Sequence, residues 1–381
     1  MSTPFSAADH EFMARALRLA ERGLYTTDPN PRVGCVLVRD GQVVGEGWHR
    51  RAGEPHAERI ALAAAGEAAR GATAYVSLEP CSHHGRTPPC SEGLIAAGVA
   101  RVVAAMRDPN PQVAGEGMSG LHEAGVATQA GLLEAAAEEL NPGFLKRMRE
   151  GLPYVRCKLG MSLDGRTAMA SGESQWITAE AARRDVQRLR ARSSAILTGI
   201  GTVLADDPSM NVRLSAAELP GVASDDHLRQ PMRVVLDARL RTPPRARLLS
   251  LPGQTLVVCG EGASAETEAE LRGAGADVLR LPQLGGRIEL HALLRALAQR
   301  GVNELLIESG ATLAGNALQA GLVDELVVYV APNLMGDEAR GLVRMPGLEH
   351  LSERVELQYR DVRRIGSDLR LTLTPRIQSM K

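Results

Sequence analysis

Apolar residues in the first part of the chain change repeatedly from helical spacing to short continuous runs. In "DHEFMARALRLAERG" they recur three and four positions apart and stop at Gly23, which predicts an amphipathic helix. "VGCVLVRDGQVVGEGWH" holds two apolar runs joined by Asp40-Gly41, a pair suited to the positive φ angles of a hairpin turn. "PHAERIALAAAGEAARG" predicts an Ala-rich helix that starts after Pro55 and stops at Gly71. "ATAYVSLEPC" predicts a buried strand, "CSEGLIAAG" a second helix behind Pro88-Pro89, and "VARVVAAM" another strand. "GVATQAG" predicts one more strand, and "LLEAAAEELNPGFLKRMREG" is mainly helical. Strands alternating with helices indicate an α/β domain.

After Gly151-Leu152-Pro153 the pattern restarts. "YVRCKLGMSLDG" predicts a strand, "TAEAARRDVQRLRARS" an amphipathic helix and "AILTGIG" a returning strand. "MRVVLDA", "QTLVVCG", "ADVLRL", "ELLIESG" and "ELVVYVAP" are further short apolar runs, several separated by helical patterns, so a second α/β domain is expected. The Pro-rich "LRTPPRARLLSLPG" predicts a loop. At 381 residues the chain exceeds one ordinary core, and the restart divides it into residues 1–150 and 151–381.

Composition narrows the function. A hydrophobic content of 44% and a charged content of 23% describe a soluble globular protein. The formal net charge of -1 gives no electrostatic case for a nucleic-acid partner. No stretch approaches the ~20 apolar residues that cross a bilayer, and the N-terminus lacks the apolar core of a signal peptide. The five cysteines, Cys35, Cys81, Cys90, Cys157 and Cys259, are odd in number and dispersed, which argues for a reducing compartment. A cytoplasmic protein is expected. Cys35, Cys157 and Cys259 lie in apolar strands and read as core, whereas His10, His122, His227, His291 and His350 read as surface.

The candidate chemistry begins at "EPCSHHGRTPPC", where Cys81 and Cys90 flank a polar loop, with "PHAE" upstream. His56, Cys81 and Cys90 form a set of imidazole and thiolate ligands suited to zinc, three from the protein and one position left for water. Cys90 opens a predicted helix, whose dipole favours its thiolate. Glu58, two residues from His56, is then free to move protons, the division of labour in zinc nucleobase deaminases with their H-x-E and P-C-x-x-C pattern. Here the second element is stretched, with eight residues between the cysteines. His83 or His84 as a fourth ligand would close the site into a structural one and leave Glu58 without a role.

"NPRVGCVLV", "WHRRAGEPHAE" and the long P-C-S-H-H-G-R-T-P-P-C form together resemble the deaminase half of the bifunctional deaminase–reductase family of riboflavin biosynthesis. The resemblance implies an N-terminal cytidine-deaminase-like three-layer domain and a C-terminal dihydrofolate-reductase-like domain. It implies one zinc per chain on His56, Cys81 and Cys90, with Glu58 as proton shuttle. The implied substrate is a diaminohydroxy-phosphoribosylamino-pyrimidine, which loses its 2-amino group. Asn30, in "PNPRVG", would read the pyrimidine edge or is a turn residue. His49 and His83 would contact the ribose or base. Arg86 suits the 5′-phosphate, with a solvated loop arginine as the alternative.

The second half has no full G-x-G-x-x-G after its first strand, which argues against a standard dinucleotide fold. "ILTGIGTVLADDP" and "LLIESGATLAGNAL" each carry a strand into a Gly-rich turn, a place for pyrophosphate against exposed N–H groups. The run from "KLGMSLDGRTAMASGESQWIT" through "LADDPSMNVR" to "IESGATLAGNALQAGLVDELVVYVAP" is similar to the reductase half of the same family. That likeness implies NADPH as hydride donor to C1′ of the sugar. It places Gly160, Trp176, Thr202, Asp206 and the turn Gly310, Ala311, Thr312, Leu313, Ala314, Gly315 and Asn316 at the cofactor. Ser174, Arg190, Met210, Arg213 and Glu308 would meet the substrate.

Arg190 and Arg213 suit a 5′-phosphate, although Arg190 sits on an Arg-rich helix where a solvated face is the ordinary explanation. Lys158, Asp206 and Glu308 are expected at strands or strand ends, where charge in apolar surroundings needs a reason. Ser309 stands where the family often has Gly or Ala. The expected partner is a phosphorylated pyrimidine small molecule, with no nucleic acid, no membrane and a homo-oligomeric assembly. The rivals are a nucleic-acid-editing deaminase with a binding module, which the scarcity of aromatics (3%) disfavours, and a deaminase whose second domain is only structural.

Overall fold

The computed structural model describes residues 5–82, 89–110 and 114–376. The chain forms two units: Met1–Gly151 with Ser215–Leu228, and Leu152–Leu214 with Arg229–Lys381.

In the first unit, helix α1 (Ala7–Glu21) starts in a capping box made by Ser6 and Asp9. Strands β1 (Gly34–Arg39) and β2 (Gln42–Trp48) form the hairpin expected at Asp40-Gly41. Helix α2 (Ala57–Ala65), strand β3 (Thr73–Val76), helix α3 (Cys90–Ala96), strand β4 (Arg101–Ala104), helix α4 (Glu116–Glu123) and strand β5 (Ala127–Ala130) follow. Helices α5 (Glu134–Leu140) and α6 (Pro142–Glu150) close the run. The sheet order is β2-β1-β3-β4-β5, antiparallel at β1 and parallel from β3 onward.

Side chains alternate across this sheet with the period of two that a strand imposes. Val36, Tyr75 and Val103 pack with α1, α5 and α6, while Cys35, Leu37, Val76 and Val102 pack with α2, α3 and α4. The result is three layers, helix on sheet on helix. α2 lies directly on β2 because Gly47 has no side chain: a Cβ there would sit 2.7 Å from the Ala57 carbonyl oxygen. That close approach fixes where the first turn of α2 begins.

The second unit contains β6 (Tyr154–Ser162), β7 (Arg166–Ala168), α7 (Glu180–Arg192), β8 (Ala195–Gly199), α8 (Ile200–Asp206) and β9 (Met232–Leu236). After these come α9 (Arg247–Ser250), β10 (Thr255–Gly260), α10 (Ala265–Gly273), β11 (Asp277–Leu281), β12 (Gln283–Leu284), β13 (Arg287–Ile288) and α11 (Leu290–Gln299). The chain ends with β14 (Glu304–Glu308), α12 (Ala311–Gln319), β15 (Glu325–Ala331), β16 (Arg340–Gly341), β17 (Leu357–Ile365) and β18 (Asp368–Pro375). Its main sheet runs β11-β10-β9-β8-β14-β6-β15-β18-β17, parallel up to β15 and antiparallel beyond. Two apolar cores cover its faces.

Three features depart from the pattern reading. α9 is a short helix inside the stretch expected to be only loop. The β17–β18 hairpin was not anticipated, because its outer strand is studded with charge and largely exposed. The segment Ser215–Leu228, which a boundary after residue 150 gives to the second domain, packs with the first unit. Leu219 there is 2% exposed. Gly221 has φ +83, and a Cβ on it would lie 1.8 Å from the Arg22 carbonyl oxygen.

Candidate active sites

Two helix starts and one strand end converge at the first site. His56 is the N-cap of α2, Cys90 is the first residue of α3, and Cys81 follows β3 through Ser77, Leu78, Glu79 and Pro80. The Nδ1 atom of His56 lies 3.4 Å from the Cys90 Sγ and 3.6 Å from the Cys81 Sγ. All three donor atoms fall within 4.8 Å of one another. A tetrahedral zinc with bonds of ~2.0–2.3 Å has ligand-to-ligand edges of about 3.6 Å, so this triangle fits such an ion. No other group of three or more potential metal ligands occurs among the described residues.

Cys90 opens α3, as expected, and its sulfur shares a hydrogen bond with Cys81. The Cys90 side chain donates to Cys81, and the Cys90 N–H also reaches its sulfur at 3.4 Å. These hydrogen bonds, helped by His56, lower the Cys81 thiol, while the same contact and burial push Cys90 up. Cys81 and Cys90 would both hold a divalent ion as thiolates, giving up the proton they share. The hydrogen bond to Cys81 also raises His56.

Glu58 lies in the first turn of α2 and is 3% exposed. Burial raises its carboxyl to about 7, the Cys81 charge adds to the rise, and a hydrogen bond with Cys90 opposes it. Cys35 on β1 is fully buried; burial and the charge of Glu58 push its thiol up. Cys157 and Cys259 are buried too, as expected. Asn30 and His49 join the site: the Asn30 amide nitrogen is 3.0 Å from His49 Nε2, and the His49 ring stands edge-on to His56 at 5.3 Å. Burial lowers His49, which favours its neutral form. His83, His84 and Arg86 lie outside the described residues.

The second unit holds a cavity of about 2110 Å³, larger than the ~300–1,000 Å³ typical of one small ligand. Gly160, Ser174, Trp176, Thr202, Asp206, Met210 and Arg213 line it, together with Gly310, Ala311, Thr312, Leu313 and Asn316. Ala314 and Gly315 do not. Ala314 is fully buried in the core, and a Cβ on Gly315 would meet the Arg344 carbonyl oxygen at 2.1 Å. The Ala314 N–H already donates to Gly310 at 3.4 Å, so the amides ahead of it, on Ala311, Thr312 and Leu313, are the ones free to face an anion.

Lys158, Arg190 and Glu308 form one cluster in the cavity wall. Arg190, expected to meet the substrate phosphate unless it lies on a solvated face, is inside, gripping Glu308 with two bonds of 2.6 and 2.9 Å and the Asn211 carbonyl at 3.0 Å. Lys158 Nζ sits 3.4 Å from the same carboxylate. Burial alone would raise Glu308, but the charges of Arg190 and Lys158 outweigh it and hold the group at about 2. Asp206 does not end a strand: it is exposed at the last turn of α8. His10, His122 and His350 are exposed, whereas His227 and His291 are half-buried.

Residues 153–371 match the RibD C-terminal domain, and residues 6–106 match the cytidine and deoxycytidylate deaminase zinc-binding region. The riboflavin biosynthesis protein RibD of Escherichia coli is 55% identical over 367 residues, 96% of this chain and 99% of that one. This chain belongs to the RibD family. A solved structure of Acinetobacter baumannii RibD is 47% identical with a TM-score of 0.88, over 97% of this chain and 99% of that one. A diaminohydroxyphosphoribosylaminopyrimidine deaminase/5-amino-6-(5-phosphoribosylamino)uracil reductase from Thermotoga maritima is 30% identical with a TM-score of 0.82, at 97% and 99% coverage.

The protein is a bifunctional enzyme of riboflavin biosynthesis, a deaminase and a reductase. Its first fold is cytidine-deaminase-like with a zinc-binding region, and its second is the family's C-terminal reductase fold. The sequence pattern passed over Glu79. Its buried carboxylate accepts from the N–H groups of Asp108, Gly115 and Met118 at 3.1 Å each, tying the loop before Cys81 to the start of α4. The signal was the acid preceding Pro80-Cys81 at the end of an apolar strand. Arg183, whose guanidinium stacks 4.6 Å over the exposed Trp176, was hidden among its arginine neighbours on α7.

Proposed function

We propose that the first site hydrolyses the 2-amino group of 2,5-diamino-6-(5-phosphoribosylamino)pyrimidin-4(3H)-one and that the second reduces the ribosyl side chain of the product to ribityl. The substrates are those named for the Thermotoga maritima relative. The observation that carries the reading is the triangle of His56, Cys81 and Cys90 beside the buried Glu58. We assign residues 1–150 to the deaminase domain, joined by Ser215–Leu228, and the rest of residues 151–381 to the reductase domain.

A zinc ion held by those three side chains would supply Lewis-acid activation of water at neutral pH. Glu58, whose carboxyl burial raises to about 7, takes a proton from the water that attacks C2. It passes that proton to the ring nitrogen and then carries the proton of the new C2 hydroxyl to the departing amine, which leaves as ammonia as the C2 carbonyl forms. Neutral His49, joined to Asn30, orients the pyrimidine edge, while His83 and Arg86 meet the sugar and its phosphate.

In the second site NADPH would supply the hydride that C1′ gains. Gly160, Trp176, Thr202 and Asp206 hold the cofactor, with its phosphates at the amides of Ala311, Thr312 and Leu313. Ser174, Lys158 and Glu308 bind the sugar, and Met210 packs behind it. Arg190 is committed to Glu308, so exposed Arg213 is the better match for the 5′-phosphate. A cytoplasmic homo-oligomer without nucleic acid fits the net charge of -1 and the exposed Tyr359, Val362 and Leu369 on β17 and β18. No helix among the described residues is long and apolar enough to cross a membrane.

Incubation of the purified protein with NADPH tests the order of steps. Loss of NADPH absorbance is expected with the deaminated phosphoribosylamino-uracil, and with the diamino-pyrimidine only after ammonia appears. Oxidation without either substrate, or none with the uracil, removes the reductase assignment.

A further inference from the structure

The parallel sheet of the second unit reverses its winding between β8 and β14. These strands are neighbours, but β9, β10 and β11 follow β8 outward while β6 lies beyond β14. Ligands of open parallel sheets sit in the crevice at such a point, and α8 and α12 both start there along the cavity. The Lys158–Glu308–Arg190 cluster marks the β14–β6 side of the crevice. The β9 side is walled by Leu236, Ala238, Arg241, Arg247, Arg287 and His291, a more cationic set.

In folds that carry the Gly-rich dinucleotide fingerprint, an acid at a strand end reads the ribose diol of an unphosphorylated cofactor. This chain lacks that fingerprint, and Asp237, just past β9, is engaged elsewhere. It is fully buried, and its Oδ2 accepts from the Thr242 N–H at 2.7 Å and the Thr242 hydroxyl at 2.9 Å. Its carbonyl oxygen accepts from Leu240 at 3.1 Å. Asp237 thereby folds the turn from 237 to 242 rather than facing a ligand. Its Oδ1 has no hydrogen bond among the described residues, and the Arg241 Nε is 3.7 Å away. The Arg241 side chain remains 57% exposed at the cavity wall.

We propose that Arg241 reads a phosphomonoester on the adenosine ribose of the cofactor and makes this reductase choose NADPH over NADH. The proposal rests on reading the cavity as the nicotinamide-cofactor site. Asp237 is the positioning residue: it shapes the turn that carries Arg241. A guanidinium fork matches phosphate oxygens in pairs. Arg247 is the weaker candidate, because its N–H is bound by Asp207 at 2.8 Å and its guanidinium lies 3.8 Å from the same carboxylate.

Titration calorimetry of the full chain with adenosine 2′,5′-bisphosphate and with 5′-AMP tests this without turnover. The wild type should bind the bisphosphate at least about tenfold more tightly, the worth of one charge-assisted contact. Arg241→Ala should bring the two ligands level without weakening AMP, and Arg247→Ala should keep the preference. In turnover, Arg241→Ala should raise KM for NADPH and leave NADH kinetics unchanged. A preference that survives Arg241→Ala, that Arg247→Ala abolishes, or that the wild type lacks overturns the proposal. If neither nucleotide binds and no NADPH is oxidised on the deaminated substrate, the cofactor reading fails with it.

Discussion

The Glu58 carboxyl is raised to about 7 because of where α2 puts it: inside, beside Cys81, on a helix whose first turn is pressed against β2. Replacing it with glutamine keeps the shape and removes the proton traffic. Glu58→Gln should retain about one zinc per chain by elemental analysis while ammonia release falls by about a hundredfold to ten-thousandfold. A variant that releases ammonia at the normal rate would end its role. Glu308 is the opposite case, an acid held at about 2 against an ordinary 4.5. A depressed carboxyl contributes its full stability above its unfolded value, and that contribution, about 3 kcal/mol, is lost as pH falls from about 5 toward 2. Urea unfolding of the second unit should therefore weaken steeply over this range, and less steeply in Glu308→Gln. Parallel slopes would contradict the pairing. The metal triangle and Glu58 were legible because ligand chemistry restricts residue type. Arg190's true partner was not, since nothing in "RRDVQRLRAR" distinguishes the arginine that turns inward.

At the scale of elements, runs with a clear period were read correctly: the β1–β2 hairpin, the helix behind His56 and the parallel strands of the second unit all appear. What escaped lacks a period. β17 exposes most of its residues and so mixes charge with apolar side chains, as an edge strand does to discourage pairing. Ser215–Leu228 has six apolar residues in fourteen but no regular period, and its fit includes a close backbone approach at Gly221 that no hydrophobicity pattern records. At Gly221 both the positive φ and the neighbouring Arg22 carbonyl exclude a side chain. Gly221→Ala should lower the stability of the first unit by about 1–3 kcal/mol, read as zinc release at a lower temperature in a thermal ramp with a colorimetric chelator. If zinc release is unchanged and NADPH turnover drops instead, the residue serves the second unit.

At the scale of the whole chain, the count of two domains followed from length and from the restart of the pattern, whereas the path between them did not. The polypeptide leaves the first unit after Gly151, re-enters it at Ser215 and departs again after Leu228. No single cleavage therefore separates this protein into two intact catalysts. A fragment ending at Gly151 would lack Leu219 and expose the surface that it seals. The returning stretch also begins just downstream of Met210 and Arg213, so melting the first unit would free one end of the backbone that carries both residues along the cavity wall.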